Sequence, residues 1–108
     1  MTVLRVCYKH GARFDEGYYI NTHLPLVSAV IGPHGGGDLE MIRVTTTTGA
    51  AAPPYQVIFS AYFDSPAGLQ AAMQDSRIGE VMGDIANFHD GVPDVMVGEV
   101  VALSGNAR

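Results

Sequence analysis

The chain contains one cysteine, Cys7, and no tryptophan in 108 residues. A lone thiol cannot close an intrachain disulfide, so the fold does not rely on one, and its apolar neighbours mark Cys7 as a small buried hydrophobe. Basic residues are scarce as well, six against eleven acidic ones, for a formal net charge of −5. Such a surface has no positive field for phosphate backbones or anionic lipid, which argues against nucleic-acid and membrane partners. No apolar run approaches the roughly 20 residues of a membrane span, and strand-like residues begin at Val3. Neither a leader nor an anchor is therefore expected, and the cytoplasm is the default location.

Motifs for bound groups are missing too. His10, His34 and His89 fall in turns, and no pair of histidines or of Cys and His has metal-ligand spacing. The stretch "GPHGGG" lacks the lysine of a P-loop and the preceding strand of a dinucleotide fingerprint, and there is no Gly-x-Ser-x-Gly elbow. No metal and no cofactor are expected.

What is present is a hydrophobic fraction of 47% against 16% charged residues. That suffices for one core, so residues 1–108 are expected to form a single domain, with apolar surface to spare for an interface.

The pattern along the chain predicts six elements. "VLRVCY", residues 3–8, is short, apolar and β-branched, as a strand is, and "KHGAR" turns it. Asp15 can cap a helix with Phe14 as the apolar residue before it, and Ile20, Leu24, Val27 and Ile31 recur at spacings that mark one helical face. The glycines of residues 32–38 end that helix. "LEMIRVTT", residues 39–46, alternates as a strand. Residues 45–54 are a loop, and "YQVIFSAYF", residues 55–63, is the clearest strand of all. Ser65-Pro66 opens a second helix carrying Leu69, Ala72 and Met73. Asp75-Ser76 interrupts it, and Ile78, Met82 and Ile85 continue the helical spacing. After a turn at 87–94, "VMVGEVVAL", residues 95–103, is the last strand.

The order β-α-β-β-α-β predicts an α+β ferredoxin-like fold, with a four-stranded antiparallel sheet and both helices on one face. The other face should then be polar in a monomer. It is not: Ile58 and Tyr62, with Ser60 between them, oppose Val57, Phe59, Ala61 and Phe63, while Val3 and Cys7 oppose Leu4, Val6 and Tyr8. An apolar face of that size calls for cover, and a second copy packed sheet to sheet supplies it. A homodimer is expected.

"FDEGYYINTHLP", residues 14–25, crowds two tyrosines, a histidine and a proline into the first helix. Pro25 lacks the amide that would bond the Asn21 carbonyl, so the helix should kink or restart there. Tyr19 and His23, four apart, share a face that this spacing turns away from the Ile20, Leu24 and Val27 stripe. On residue types alone, Tyr18, Tyr19 and His23 read as amphipathic packing residues.

Taken together, "FDEGYYINTHLPLV", "SAYFDS" and "DIANFHD" resemble the EthD family of small dimeric α+β barrels, named after a protein of ethyl tert-butyl ether degradation clusters. The resemblance covers nearly the whole chain. It falls on Phe14, Asp15, Tyr18, Tyr19, His23, Pro25 and Leu26 in the first helix, and on Asp84, Asn87 and Phe88 in the second. Asp15, Pro25, Asp84 and Asn87 enter as structural parts of that motif. Lys9 departs from it, standing where a proline often follows the first-strand tyrosine. Related dimeric barrels include cofactorless monooxygenases, lactone isomerases and polyketide cyclases, and some family members are accessory to oxidative degradation of small molecules.

The resemblance moves His23 from packing towards a pocket. It implies an apolar cavity between the first helix and the sheet, walled by Phe14, Tyr18, Tyr19, Leu26, Phe59 and Phe88, for an aromatic or polyketide-like molecule. His23 would serve there as general acid or base, with Tyr19 orienting it or donating to a developing oxyanion. Cofactor-independent oxygenation, isomerisation and cyclisation all fit. The alternatives are a non-catalytic carrier or accessory protein of a degradation pathway, and a structural dimer without ligand.

Overall fold

The structure is a computed structural model that describes residues 1–49 and 52–105; positions 50 and 51 of the expected loop lie outside the described residues. Strand β1 (Thr2–Lys9) leads through a turn to a continuous helical segment made of α1 (Glu16–Tyr18), a π-helical stretch (Tyr19–His23) and α2 (Leu24–Ile31). A short 3-10 turn (Gly32–His34) precedes β2 (Asp38–Arg43) and β3 (Tyr55–Phe63). Helices α3 (Pro66–Met73) and α4 (Ile78–Asp84), a 3-10 turn (Ile85–Asn87) and β4 (Asp94–Glu99) complete the chain. The sheet is antiparallel throughout, in the order β2-β3-β1-β4. This is the expected α+β ferredoxin-like arrangement.

Local chemistry sets the helix starts. The Asp15 carboxylate accepts from the Tyr18 amide at 3.1 Å, and the Ser65 hydroxyl accepts from the Gly68 amide at 3.3 Å with Pro66 in the first turn behind it. Each cap satisfies an amide that the helix leaves without a partner. Asp75 accepts from the Arg77 amide at 2.8 Å and restarts the chain as α4 after the break.

The first helix departs from the sequence reading. Of the kink or restart expected at Pro25, the helix takes the restart, but it also widens just before it: the Leu24 amide donates to the Tyr19 carbonyl, five residues back, and α2 resumes with Pro25 in its first turn. A π turn is a known way of absorbing strain in a helix, here beside a proline that has no amide to give. Its wider turn brings positions four apart more nearly into line, so the buried face runs through Tyr19, His23, Val27, Val30 and Ile31. Ile20, expected inside, is 47% exposed, and Tyr19 and His23, expected on the opposite side, face the core.

Register fixes what each sheet face carries. Leu4 lies opposite Ala61 on β3 and Val97 on β4, and Met41 lies opposite Phe59, so Leu4, Val6, Tyr8, Leu39, Met41, Val57, Phe59, Ala61 and Phe63 share the helix side. There they meet Val27, Val30, Ile31, Leu69, Ala72 and Val81 in one core cluster. Val95 and Val97 lie on the same side of the edge strand but remain exposed, because the helical layer does not cover β4.

The outer face is less oily than β1 and β3 alone suggest. Val3, Cys7, Ile42, Ile58, Tyr62 and Met96 share it with Arg5, Asp38, Glu40, Ser60 and Asp94. Arg5 donates to the Ser60 hydroxyl at 3.2 Å, and Cys7 is buried as expected. The strand ends also differ: β2 stops at Arg43 rather than Thr46, and β4 stops at Glu99, so Val101 and Leu103 continue outside the sheet and exposed.

Helix α3 touches the end of the first helical segment at Gly68, where a Cβ would stand 2.5 Å from the His34 carbonyl oxygen. Gly79 in α4 has nothing within 4 Å of its Cβ position. Gly68→Ala should therefore lower stability by about 1–3 kcal/mol. Gly79→Ala should be neutral or stabilise by up to about 1 kcal/mol. Denaturant midpoints of the two variants measure the contrast.

Candidate functional site

Two segments that are distant in sequence, the first helix and the end of α4, meet at one carboxylate. Asp84 ends α4, and its Oδ1 accepts from the Tyr18 hydroxyl at 2.6 Å and from the Asn87 side-chain amide at 2.9 Å. Its Oδ2 lies 2.8 Å from Nδ1 of His23 in the π stretch. A carboxylate accepts, so His23 carries its hydrogen on Nδ1 and keeps Nε2 as a lone pair in the neutral ring.

The electrostatics favour that state. Burial pushes the His23 ring below its ordinary pKa, outweighing the hydrogen bond and charge of Asp84 that act the other way. For Asp84 burial acts upwards, but the hydrogen bonds from Tyr18, Asn87 and His23 outweigh it and hold the carboxyl below its ordinary value. The pair is thus an ionised carboxylate orienting a neutral imidazole, the arrangement of a general base with a fixed tautomer.

Rings hold the imidazole in place. Tyr19 stacks on it with centroids 5.3 Å apart, and Phe88 lies at 4.5 Å, tilted. His23 also forms part of the wall of a cavity between the helices and the sheet, together with Tyr8, Tyr19, Val27, Phe59 and Val81. Met73, Met82 and Val95, all exposed, line the same space and form its outer side. The volume is about 80 Å³, more than the roughly 10–15 Å³ that one water needs and about half of the roughly 150 Å³ apolar cavity that takes benzene. Burial raises the pKa of both the Tyr8 and Tyr19 phenols well above the ordinary value, so both remain protonated at neutral pH. Among the described residues no group of three His, Cys, Asp or Glu side chains could hold a metal ion, and no helix is long and apolar enough to cross a membrane.

A family model described as the EthD domain matches residues 12–91, the span that holds the entire His23–Asp84 network. The chain belongs to the EthD family. An EthD-like protein from Ralstonia eutropha JMP134 is similar at 30% identity and a TM-score of 0.83, covering 97% of this chain and 96% of that one. An ethyl tert-butyl ether degradation (EthD) family protein from Bacillus halodurans C-125 is similar at 24% identity and a TM-score of 0.76, covering 94% and 99%. SnoaB from Streptomyces nogalater, a cofactor-independent oxygenase, shares the fold at 8% identity and a TM-score of 0.67, covering 94% and 93%. No match was found among curated proteins.

The expected site and motif residues divide into four groups. Tyr19, His23 and Phe59 line the cavity. Tyr18, Asp84 and Asn87 stand behind His23 as its hydrogen-bonded support, so the orienting role expected of Tyr19 falls to Asp84. Phe14, Leu26 and Phe88 do not line the cavity: Phe14 packs against Tyr8 and Phe88 at 5.1 and 5.3 Å, Leu26 packs at the core's margin, and Phe88 is wholly buried beneath His23. Asp15 is the helix cap and Pro25 is exposed. Tyr8, a cavity wall that the sequence reading misses, shares a side of β1 with Leu4 and Val6, and that alternation is the signal that could have found it.

Because the folded His23 has a lowered pKa, the unfolded chain binds more protons below the ordinary histidine value of about 6.5. Stability should fall as pH drops from 6.5 towards 5. The Asp84 contribution has the same sign but is lost only at lower pH, as the carboxyl protonates through its lowered folded value. In His23→Gln the loss between pH 6.5 and 5 should be shallower by up to one proton, read from denaturant melts at each pH. An unchanged slope would show that the ring is not held neutral.

Proposed function

We propose that this EthD protein abstracts a proton from a small, neutral, apolar molecule held in the cavity, with His23 as the base and no bound cofactor. The observation that carries the reading is the pairing of His23 Nδ1 with Asp84 at 2.8 Å while the same ring lines an otherwise apolar cavity. The substrate C–H or O–H bond breaks, its proton passes to Nε2, and the electron pair stays on the substrate as an enolate or phenolate. Asp84 stabilises the imidazolium that forms. Return of the proton at the same or a neighbouring carbon completes an exchange or isomerisation without any oxidant. Among the described residues, the cavity walls include no Lys or Arg to pair with an anionic substrate, which is why the guest is read as neutral. SnoaB, a cofactor-independent oxygenase, supports the fold as a host for chemistry without a bound group, by analogy of fold alone.

The apolar side chains left exposed at Ile42 and Met96 on the outer face, with Arg5 among them, support residues 1–108 as one domain that pairs sheet to sheet with a second copy. The acid surplus is in keeping with a cytoplasmic dimer.

The enzyme reading is tested with 2-indanone, a neutral carbon acid, in deuterated buffer. The wild-type protein should bind it and speed deuterium entry beside the carbonyl, read by NMR. His23→Gln, which keeps a polar side chain facing Asp84, should lose roughly 10²–10⁴-fold of that rate while still binding. Binding without exchange in the wild type would assign the carrier role instead. For the assembly, sedimentation at micromolar concentration should give twice the chain mass, and Ile42→Asp combined with Met96→Asp should give the monomer. A wild-type monomer would overturn the pairing.

A further inference from the structure

The cavity beside His23 is about half the size that takes benzene, so a ring enters only where part of its wall gives way. The walls differ in how firmly they are held. Tyr8 and Phe59 sit on paired strands, and Tyr19 and Val27 on the buried face of the first helix. The outer side is built from Met73 at the end of α3 and from Ile78, Val81 and Met82 in α4, which flank the break at residues 74–77. Val81 is the one buried residue of α4. A Cβ on Gly79 or Gly83 would meet nothing within 4 Å, so α4 has open space on the face these two share.

A single side-chain pair ties the start of this helix to the rest of the chain. His34, in the 3-10 turn before β2, places Nε2 2.8 Å from Oδ2 of Asp75 in the break. A carboxylate only accepts, so the imidazole donates, and its bond helps to hold the Asp75 carboxyl below the ordinary value. Among the described residues, the other hydrogen bonds of Asp75 are local: it accepts from the Arg77 amide, and its carbonyl accepts from the Ile78 amide. The turn that carries His34 is firmly seated. A Cβ on Gly36 would stand 2.6 Å from the Phe63 ring, and one on Gly68 would stand 2.5 Å from the His34 carbonyl oxygen, so β3 and α3 both press on it. The far end of α4 is fixed as well, because Asp84 is bonded to Tyr18 and His23. What is left to move is the start of α4, with the His34 bond as its hold and Asp84 as its pivot.

We propose that α4 is the lid of the cavity and that the His34–Asp75 bond latches it shut in the free protein. A ring binds when that bond breaks and the start of α4 swings outward about Asp84, carrying Ile78, Val81 and Met82 with it. Because the pivot lies at Asp84, the His23–Asp84 pair stays whole while the lid is open. The latch works against binding: it keeps most molecules closed, and the affinity for a ring is lowered by the fraction that is open. This inference rests on the reading of the His23 cavity as a guest site.

The test is calorimetric titration of the wild-type protein and two latch variants with 2-indanone, alongside hydrogen exchange of the free proteins. His34→Ala removes the donor. Asp75→Ser removes the acceptor, while its shorter side chain keeps a hydroxyl for the Arg77 amide. Both positions are partly exposed, so either change leaves the core intact. Each variant should bind 2-indanone roughly threefold to tenfold more tightly than the wild type, the worth of the one hydrogen bond that no longer has to break. Amide exchange should speed up at residues 79–83 in both variants and stay as it is in β1 and β3. Equal or weaker binding by the variants, tighter binding by only one of them, or unchanged exchange in α4 overturns the latch and leaves the cavity standing. Failure of all three proteins to bind 2-indanone overturns the cavity reading and this inference together.

Discussion

The Asp84 carboxylate, with its side chain only 12% exposed, is the point on which the site depends. A buried charge is tolerated only when its lone pairs are used, and here Tyr18, Asn87 and His23 use them. Hydrogen bonds to a charged group are worth about 1.5–3 kcal/mol each, so they can offset the desolvation that would otherwise protonate the acid. In the same geometry the charge selects the His23 tautomer. What makes the carboxylate stable in the fold therefore also fixes which nitrogen of the imidazole keeps its lone pair.

That arrangement requires the first helix to present His23 to α4 and to the cavity together. The π stretch does so by widening the turn ahead of Pro25, which turns Tyr19 and His23 inward and leaves Ile20 in solvent. A helix with an unbroken 3.6-residue period would have buried the isoleucine and pointed the histidine elsewhere. The local backbone irregularity is thus tied to the site, as π turns often are.

The aromatic cluster supplies the third element. Tyr8, Phe14, Tyr19 and Phe88 meet mostly edge to face at 5.0–5.7 Å, a geometry in which ring quadrupoles attract. These contacts fix the walls around both buried histidines. They also explain why Phe14 and Phe88, which carry the family resemblance, serve the site from behind its surface and do not touch the cavity.

The sequence by itself determined the fold class, the order of elements, the caps at Asp15 and Ser65, and which residues of β1, β2 and β3 share a side. All of these follow from short-range rules: the two-residue period of strands, the end groups of helices, and turn-forming glycine and proline. The family was legible too, because its motif lies in contiguous segments. Only the tertiary structure decided that Asp84 holds His23, that Tyr8 replaces Phe14 and Phe88 as a cavity wall, and that the turn residue His89 is buried with one nitrogen unpaired. Each of those facts joins residues roughly sixty to eighty positions apart or depends on a one-residue change of helical phase, and neither is written in local spacing. Sequence periodicity assumes regular helices, so it misplaced Tyr19 and His23 at the one turn where hydrogen bonding departs from that regularity.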